Sequence, residues 1–135
     1  MTISRGPLED RLAIRELVES YNDAVMRFDA AAWASNWTDD GQWTVPGLGD
    51  VSGRDAIVAV WQQAMATFDC VGFFASAGPL EVDGAHARGT WYQQEFLYQK
   101  DGGKRVVIGR YEDEYVKREG RWYFSKRIYA VLKAE

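Results

Sequence analysis

Cysteine and histidine are almost absent from this chain: Cys70 and His86 each occur once. One cysteine excludes an internal disulfide and a thiolate cluster. With a single histidine beside it, a metal site built from several imidazole and thiolate ligands is excluded as well, and only an all-carboxylate site stays open. No metal and no cofactor is expected. Cys70 reads as a buried structural thiol, and His86, beside the Asp83-Gly84 turn, as an exposed residue without a functional role. Positive charge is also in short supply, with 16 Lys and Arg against 20 Asp and Glu and a net charge of −4. No basic stripe is visible, which argues against nucleic acid or an anionic membrane as partner. No apolar run approaches the roughly 20 residues that span a bilayer. The first ten residues lack the apolar core of a signal sequence, so a cytoplasmic location is expected.

What the chain has is apolar and aromatic surface, 47% and 14% of its 135 residues. That suffices for one sizeable core and is too little chain for two, so residues 1–135 are expected to form one domain. Residues 9–28 repeat apolar side chains at spacings of three and four (Ile14, Leu17, Val18, Tyr21, Val25, Phe28), the stripe of an amphipathic helix. Glu9 and Asp10 stand where negative charge suits a helix start. A short helix is predicted over 30–37, a turn at Thr38 to Gly41, a strand over 42–45 and a loop from Pro46 to Gly53. Helical spacing resumes over 54–68. From residue 71 the pattern is strands: 71–77, 79–82, 87–100, 104–117 and 121–131, separated by Asp-Gly and Gly-rich turns. Helices first and antiparallel strands after predict an α+β fold, with the helices on one sheet face.

Alternation divides each long strand into two sets. Trp91, Gln93 and Glu95 share one face with Tyr111 and Asp113; Tyr92, Gln94 and Phe96 share the other with Ile108 and Arg110. Rings and charges mix on both. One face is therefore expected to meet the helices and the other a second copy, giving a homo-oligomer, dimer or trimer, through the outer sheet face. Polar groups among rings on a covered face need partners, which a packed network or a ligand in a pocket can supply.

Several segments in this order resemble the SnoaL-like branch of the nuclear transport factor 2-like superfamily. They are Leu12 to Leu17, Tyr21, Trp37 to Trp43, Gly53 to Ile57, Gly109 to Asp113, Gly120 to Trp122, and Arg127. The resemblance implies a cone-shaped α+β barrel, a strongly curved antiparallel sheet with about three helices closing over a pocket for a small apolar organic molecule. Relatives include scytalone dehydratase, hexachlorocyclohexane dehydrochlorinase and ketosteroid isomerase. Eliminating members use an Asp-His dyad, the histidine as base and the aspartate orienting it. Carried over by position, the aspartate falls on Met26 and the histidine on Phe73, so the dyad is expected to be missing.

The resemblance also places Tyr21, Asp113 and Arg127 as candidate catalytic groups, and Met26, Trp43, Phe73, Trp91, Gln93, Glu95 and Tyr111 as candidate pocket lining. Three functions stay open. One is a lyase or isomerase with Asp113 or Glu95 as a carboxylate base raised by its apolar surroundings, and Tyr21 or Tyr111 stabilising an oxyanion. Another is a non-catalytic binding protein or partner subunit. The third is water activation of the epoxide-hydrolase type through Arg110, Asp113 and Arg127.

Overall fold

The structure is a computed structural model and describes residues 3–135; Met1 and Thr2, which open the segment read as lacking a signal sequence, lie outside the described residues. Three helices precede or interrupt the early strands: α1 (Leu8–Met26), α2 (Ala30–Ala34) and α3 (Arg54–Met65). Six strands follow the order β1 (Trp37–Val45), β2 (Gly49–Ser52), β3 (Phe68–Asp83), β4 (His86–Gln99), β5 (Lys104–Arg118) and β6 (Arg121–Ala134). They form one curved, unclosed sheet ordered β2-β1-β6-β5-β4-β3. Every pairing is antiparallel except β1 with β6, which is parallel. Among the described residues no helix is long and apolar enough to cross a membrane.

Local boundaries differ from the sequence expectations for identifiable reasons. Helix α1 stops at Met26 rather than 28, because Phe28 adopts a left-handed conformation at φ 55° and Asp29 donates its N–H back to Ala24. Asp29 then caps α2 by accepting from the Ala32 N–H at 3.0 Å. Helix α2 is shorter than expected, since Trp37 already pairs with Phe124 of β6. The predicted Thr38–Gly41 turn lies inside β1, and the 46–53 loop contains β2. At Gly41 an added Cβ would stand 2.9 Å from the Trp37 ring, so the strand needs a glycine to seat that indole. The two strands expected at 71–77 and 79–82 are one strand, β3, with a register shift between Ala77 and Leu80.

Burial alternates along β5: Val107, Gly109, Tyr111, Asp113 and Tyr115 are buried while Ile108, Glu112 and Glu114 are exposed. The inward face of the sheet meets α1, α3 and a cluster of rings. Trp33 stacks on Trp61 with centroids 4.6 Å apart, and Trp33 also packs edge-on to Trp43. Cys70 is exposed, not buried as expected, because Val71 is the neighbour that turns inward in β3. The outward face carries exposed Phe74, Tyr92, Ile108 and Ile128.

Candidate functional site

A bulge sets the polar centre of the inward face. In β6, Trp122 and Phe124 point inward on even numbers; Tyr115 pairs with Phe124 but Glu114 pairs with Lys126, leaving Ser125 as an extra residue. The extra residue switches parity, so Arg127 and Tyr129 point inward on odd numbers. Arg127 then meets Asp113 of β5, directly opposite in the register.

Arg127 and Asp113 form a bidentate pair, Nε to Oδ1 at 2.7 Å and Nη2 to Oδ2 at 3.1 Å, with both side chains fully buried. Tyr115 donates its hydroxyl to the same Oδ2 at 2.8 Å, and the Trp91 indole N–H donates to the Tyr115 oxygen at 2.8 Å. The guanidinium carbon lies 3.7 Å from the Tyr111 ring centre, 4.3 Å from Phe124 and 4.5 Å from Tyr21. Burial raises the Asp113 carboxyl above the usual range against the opposing pull of Arg127 and Tyr115. For Arg127, burial acts to lower the pKa, but the Asp113 charge and hydrogen bonds together with the Tyr21 and Tyr111 hydroxyls outweigh it, and the guanidinium stays charged. A hollow was expected between Tyr21, Trp91 and Tyr111. Between Tyr21 and Tyr111 the space is instead taken by Arg127.

A second carboxylate stands further along the same face. Glu95, half-buried on β4, accepts a hydrogen bond from the Tyr129 hydroxyl of β6. Burial raises the Glu95 carboxyl above its ordinary value, and the Tyr129 hydroxyl opposes that shift. Tyr129 reaches Glu95 across Gly109 of the intervening strand; a Cβ at Gly109 would lie 2.0 Å from the Tyr129 oxygen. Burial likewise raises the Tyr129 phenol, and the facing Glu95 charge adds to it. Tyr129 was not singled out in the sequence. Its signal was its spacing of two from Arg127.

The structure gathers most of the expected residues on this face. Tyr21, Trp43, Phe73, Trp91, Gln93, Tyr111, Asp113 and Arg127 are all buried. Trp43 donates its indole N–H to the Tyr111 hydroxyl at 3.4 Å. Met26 stands apart, 41% exposed in the last turn of α1, because the buried stripe of that helix ends at Val25. Arg110 also stands apart. It lies on the opposite parity of β5 from Asp113, with its nearest carboxylate Glu112 at 4.0 Å, so an Arg110, Asp113, Arg127 cluster does not assemble. His86, the only histidine, is exposed at the start of β4. Among the described residues no three His, Cys, Asp or Glu side chains are grouped as metal ligands.

Two surface recesses stand out among the described residues. One, of about 760 Å³, lies against the outward face at Glu81, Arg88, Thr90, Glu112 and Glu114. The other, of about 260 Å³, lies between Phe28, Trp61, Met65, Phe68 and Lys100. Neither is lined by Tyr21, Trp91, Tyr111 or Glu95.

A curved open sheet with helices on its inward face, and polar groups held at the centre of that face, is the nuclear transport factor 2-like cone. Within it, the model of the SnoaL-like domain matches residues 6–128, and the chain belongs to that family. The gamma-hexachlorocyclohexane dehydrochlorinase of Sphingobium indicum is 26% identical over 125 residues, covering 87% of this chain and 80% of that protein. The type 3 hexachlorocyclohexane dehydrochlorinase structure from Novosphingobium barchaimii superposes with a TM-score of 0.85 at 24% identity, over 95% of this chain and 90% of the other. A structure from Novosphingobium aromaticivorans, named as a candidate scytalone dehydratase, gives a TM-score of 0.87 at 19% identity, over 95% and 87%. At those identities the two structures speak for the fold.

Proposed function

We propose that this chain binds one small organic molecule at the Glu95 end of the inward face and acts on it as a lyase or isomerase, with Glu95 as the proton-abstracting base. One observation carries the proposal. Glu95 is a half-buried carboxylate on the inward face that accepts from the Tyr129 hydroxyl, and its pKa is raised by burial. A base of raised pKa is matched to taking a proton near neutrality. The alternatives are less suited. His86 is exposed, and Asp113 already receives three hydrogen bonds from Arg127 and Tyr115.

In the proposed step a carbon–hydrogen bond of the ligand breaks, its proton passes to Glu95, and the electron pair expels a leaving group or shifts a double bond. Tyr129, already donating to Glu95, orients the carboxylate. Phe73, opposite Glu95 in the β3–β4 register, supplies apolar wall. The dehydrochlorinase and dehydratase names among the relatives support the lyase class.

The test is turnover of a panel of hydroxylated and halogenated ring compounds by wild type and Glu95→Gln. Loss of on the order of 10² to 10⁴ in kcat/KM with an unchanged unfolding midpoint is expected. Full turnover by Glu95→Gln would overturn the assignment. Arg127 filling the space beside Tyr21 and Tyr111 favours a second reading, binding without turnover; ligand binding with no product from any panel member would select it. The exposed Phe74, Tyr92, Ile108 and Ile128 support a homo-oligomer through the outward face, which sedimentation of wild type against Ile108→Lys tests.

A further inference from the structure

We infer that the free edge of β3 is a pairing surface for a second copy of this chain, joined antiparallel with Phe74 opposite Phe74 across a two-fold axis. Strand β3 ends the sheet order and has β4 on one side only. The chain closes part of the other side itself. The Arg5 N–H donates to the Leu80 carbonyl at 2.8 Å, the Leu80 N–H donates to the Ser4 hydroxyl oxygen at 3.1 Å, and the Val82 N–H donates to the Arg5 carbonyl at 2.9 Å. Upstream this cover stops. Among the described residues Val71, Phe73, Ala75 and Ala77 have no backbone hydrogen bond outside the β3–β4 ladder.

Those four residues are the ones that face the edge. In an antiparallel ladder the backbone groups of alternate residues turn to the neighbour, and the others turn away. Leu80 and Val82 turn away from β4, since the N-terminal segment takes them. Leu80 stands opposite Gly89 and Ala77 opposite Trp91, so Gly78 and Pro79 together face Thr90 alone. The extra residue reverses the phase, and upstream of it the odd-numbered residues turn out.

Open edges are ordinarily blunted by charge, proline or a bulge. Here Asp69, Pro79 and Glu81 flank the stretch, while residues 70–78 carry neither charge nor proline. Phe74 stands in the middle of it, 53% exposed, with its ring edge-on to Phe96 at 6.2 Å. A second copy brings the same neutral run, and the run is complementary to itself. One antiparallel register bonds all four edge-facing residues to the same four of a copy: Val71 with Ala77 and Phe73 with Ala75, in both directions, each pair exchanging two hydrogen bonds. That register joins the two sheets into one. It sets Phe74 against Phe74 in a pair without mutual backbone bonds, where the Cα atoms approach to about 4.5 Å, with both rings on the outward side. Asp69 then faces Pro79, so no like charges stand opposite each other. The contact is separate from packing of the outward faces, which would bury Ile108 and Ile128, and it does not depend on the role of Glu95.

The experiment is disulfide crosslinking of the whole chain, with sedimentation beside it. Cys70 is the only cysteine, so one thiol can be moved along the edge. In Cys70→Ser with Phe74→Cys the two introduced thiols face each other within disulfide reach, and oxidation is expected to convert most of the chain to a covalent dimer. In Cys70→Ser with Ser76→Cys the same register leaves the Cα atoms about 14 Å apart, and in wild type Cys70 lies about 27 Å from its copy, so neither is expected to crosslink. Equal yields in all three, or no dimer from the Phe74→Cys form, would overturn the inference. Adding Ile108→Lys to the Phe74→Cys form is expected to leave the yield unchanged; its loss would mean that packed outward faces bring the copies together, and the edge would be rejected. Sedimentation needs no cysteine variant. Wild type is expected to dimerise, and Phe74→Lys, which sets two ammonium groups opposite each other, is expected to weaken the dimer at least about tenfold. Wild type sedimenting as a monomer at every concentration, or Phe74→Lys associating as tightly as wild type, would overturn the inference even if the cysteine variants failed to fold.

Discussion

Asp113 and Glu95 are two carboxylates on one sheet face, on neighbouring strands, and they differ in what their oxygens receive. Asp113 takes two charge-assisted bonds from Arg127 and one from Tyr115, fully enclosed by rings. Glu95 takes one bond from a neutral phenol among the described residues and stays partly open. A carboxylate with both oxygens bonded to donors and a guanidinium alongside is held in place as half of an ion pair. One with a single neutral donor keeps an oxygen for chemistry. Burial raises both pKa values, so the direction of the shift does not tell the two roles apart; the donor count does.

The comparison is broken most severely by removing Arg127. Arg127→Met leaves Asp113 buried without its cation and is expected to cost about 3 to 5 kcal/mol in urea unfolding. Replacing both partners, Asp113→Leu with Arg127→Met, is expected to cost less than the single change, since no charge is then stranded. A shift under about 1 kcal/mol for the single change would mean that water reaches the pair.

At the Glu95 end the corresponding break is steric. Gly109→Ala sets a Cβ 2.0 Å from the Tyr129 hydroxyl and must push the ring off Glu95. About 1 to 3 kcal/mol of destabilisation is expected, with loss of turnover comparable to that of Tyr129→Phe. Retention of wild-type stability would show that β5 and β6 separate at that point without penalty.

Much of the fold was legible in the sequence because its signals are periodic: the α1 stripe, the Asp83-Gly84 turn and the odd-numbered run through β4 and β5. What escaped lies where a local rule is overridden by pairing. Residues 38–41 have turn chemistry, yet they lie inside β1 as an irregularity between Trp37 and Gln42, which pair with Phe124 and Lys126 of β6. Gly78 separates the two strands expected at 71–77 and 79–82, yet the chain runs on as one β3 with a register shift between Ala77 and Leu80. For the site, the family resemblance put Trp91, Tyr111 and Asp113 on the inward face, and alternation along β4 added Gln93 and Glu95 to the face of Trp91. Alternation could not have found Arg127 or Tyr129, because counting from Phe124 turns both outward; the Ser125 bulge that corrects the count has no mark in the residue itself. Arg127 came from the family resemblance and Tyr129 was missed. Met26 fails for the opposite reason, a positional match at a helix end where the buried stripe has already stopped.

The smallest effect sharpens the comparison furthest, because it reads Glu95 alone. Burial raises the Glu95 carboxyl above 4.5, so between that value and the raised one the folded chain holds a proton that the unfolded chain has released. Where the folded state binds more protons, stability falls as pH rises. The contribution of Glu95 is therefore fully present below the ordinary glutamate value and is lost as pH climbs through the folded value. Glu95→Gln has no proton to lose. The difference in unfolding free energy, wild type minus Glu95→Gln, is expected to be flat at low pH, to fall across that window, and to flatten again above it. Tyr129→Phe removes the hydroxyl that favours the ionised form, so the upper end of the window moves to higher pH. A difference curve that rises with pH would mean that Glu95 is stabilised as an anion in the folded chain, and the distinction from Asp113 would then lie in exposure alone.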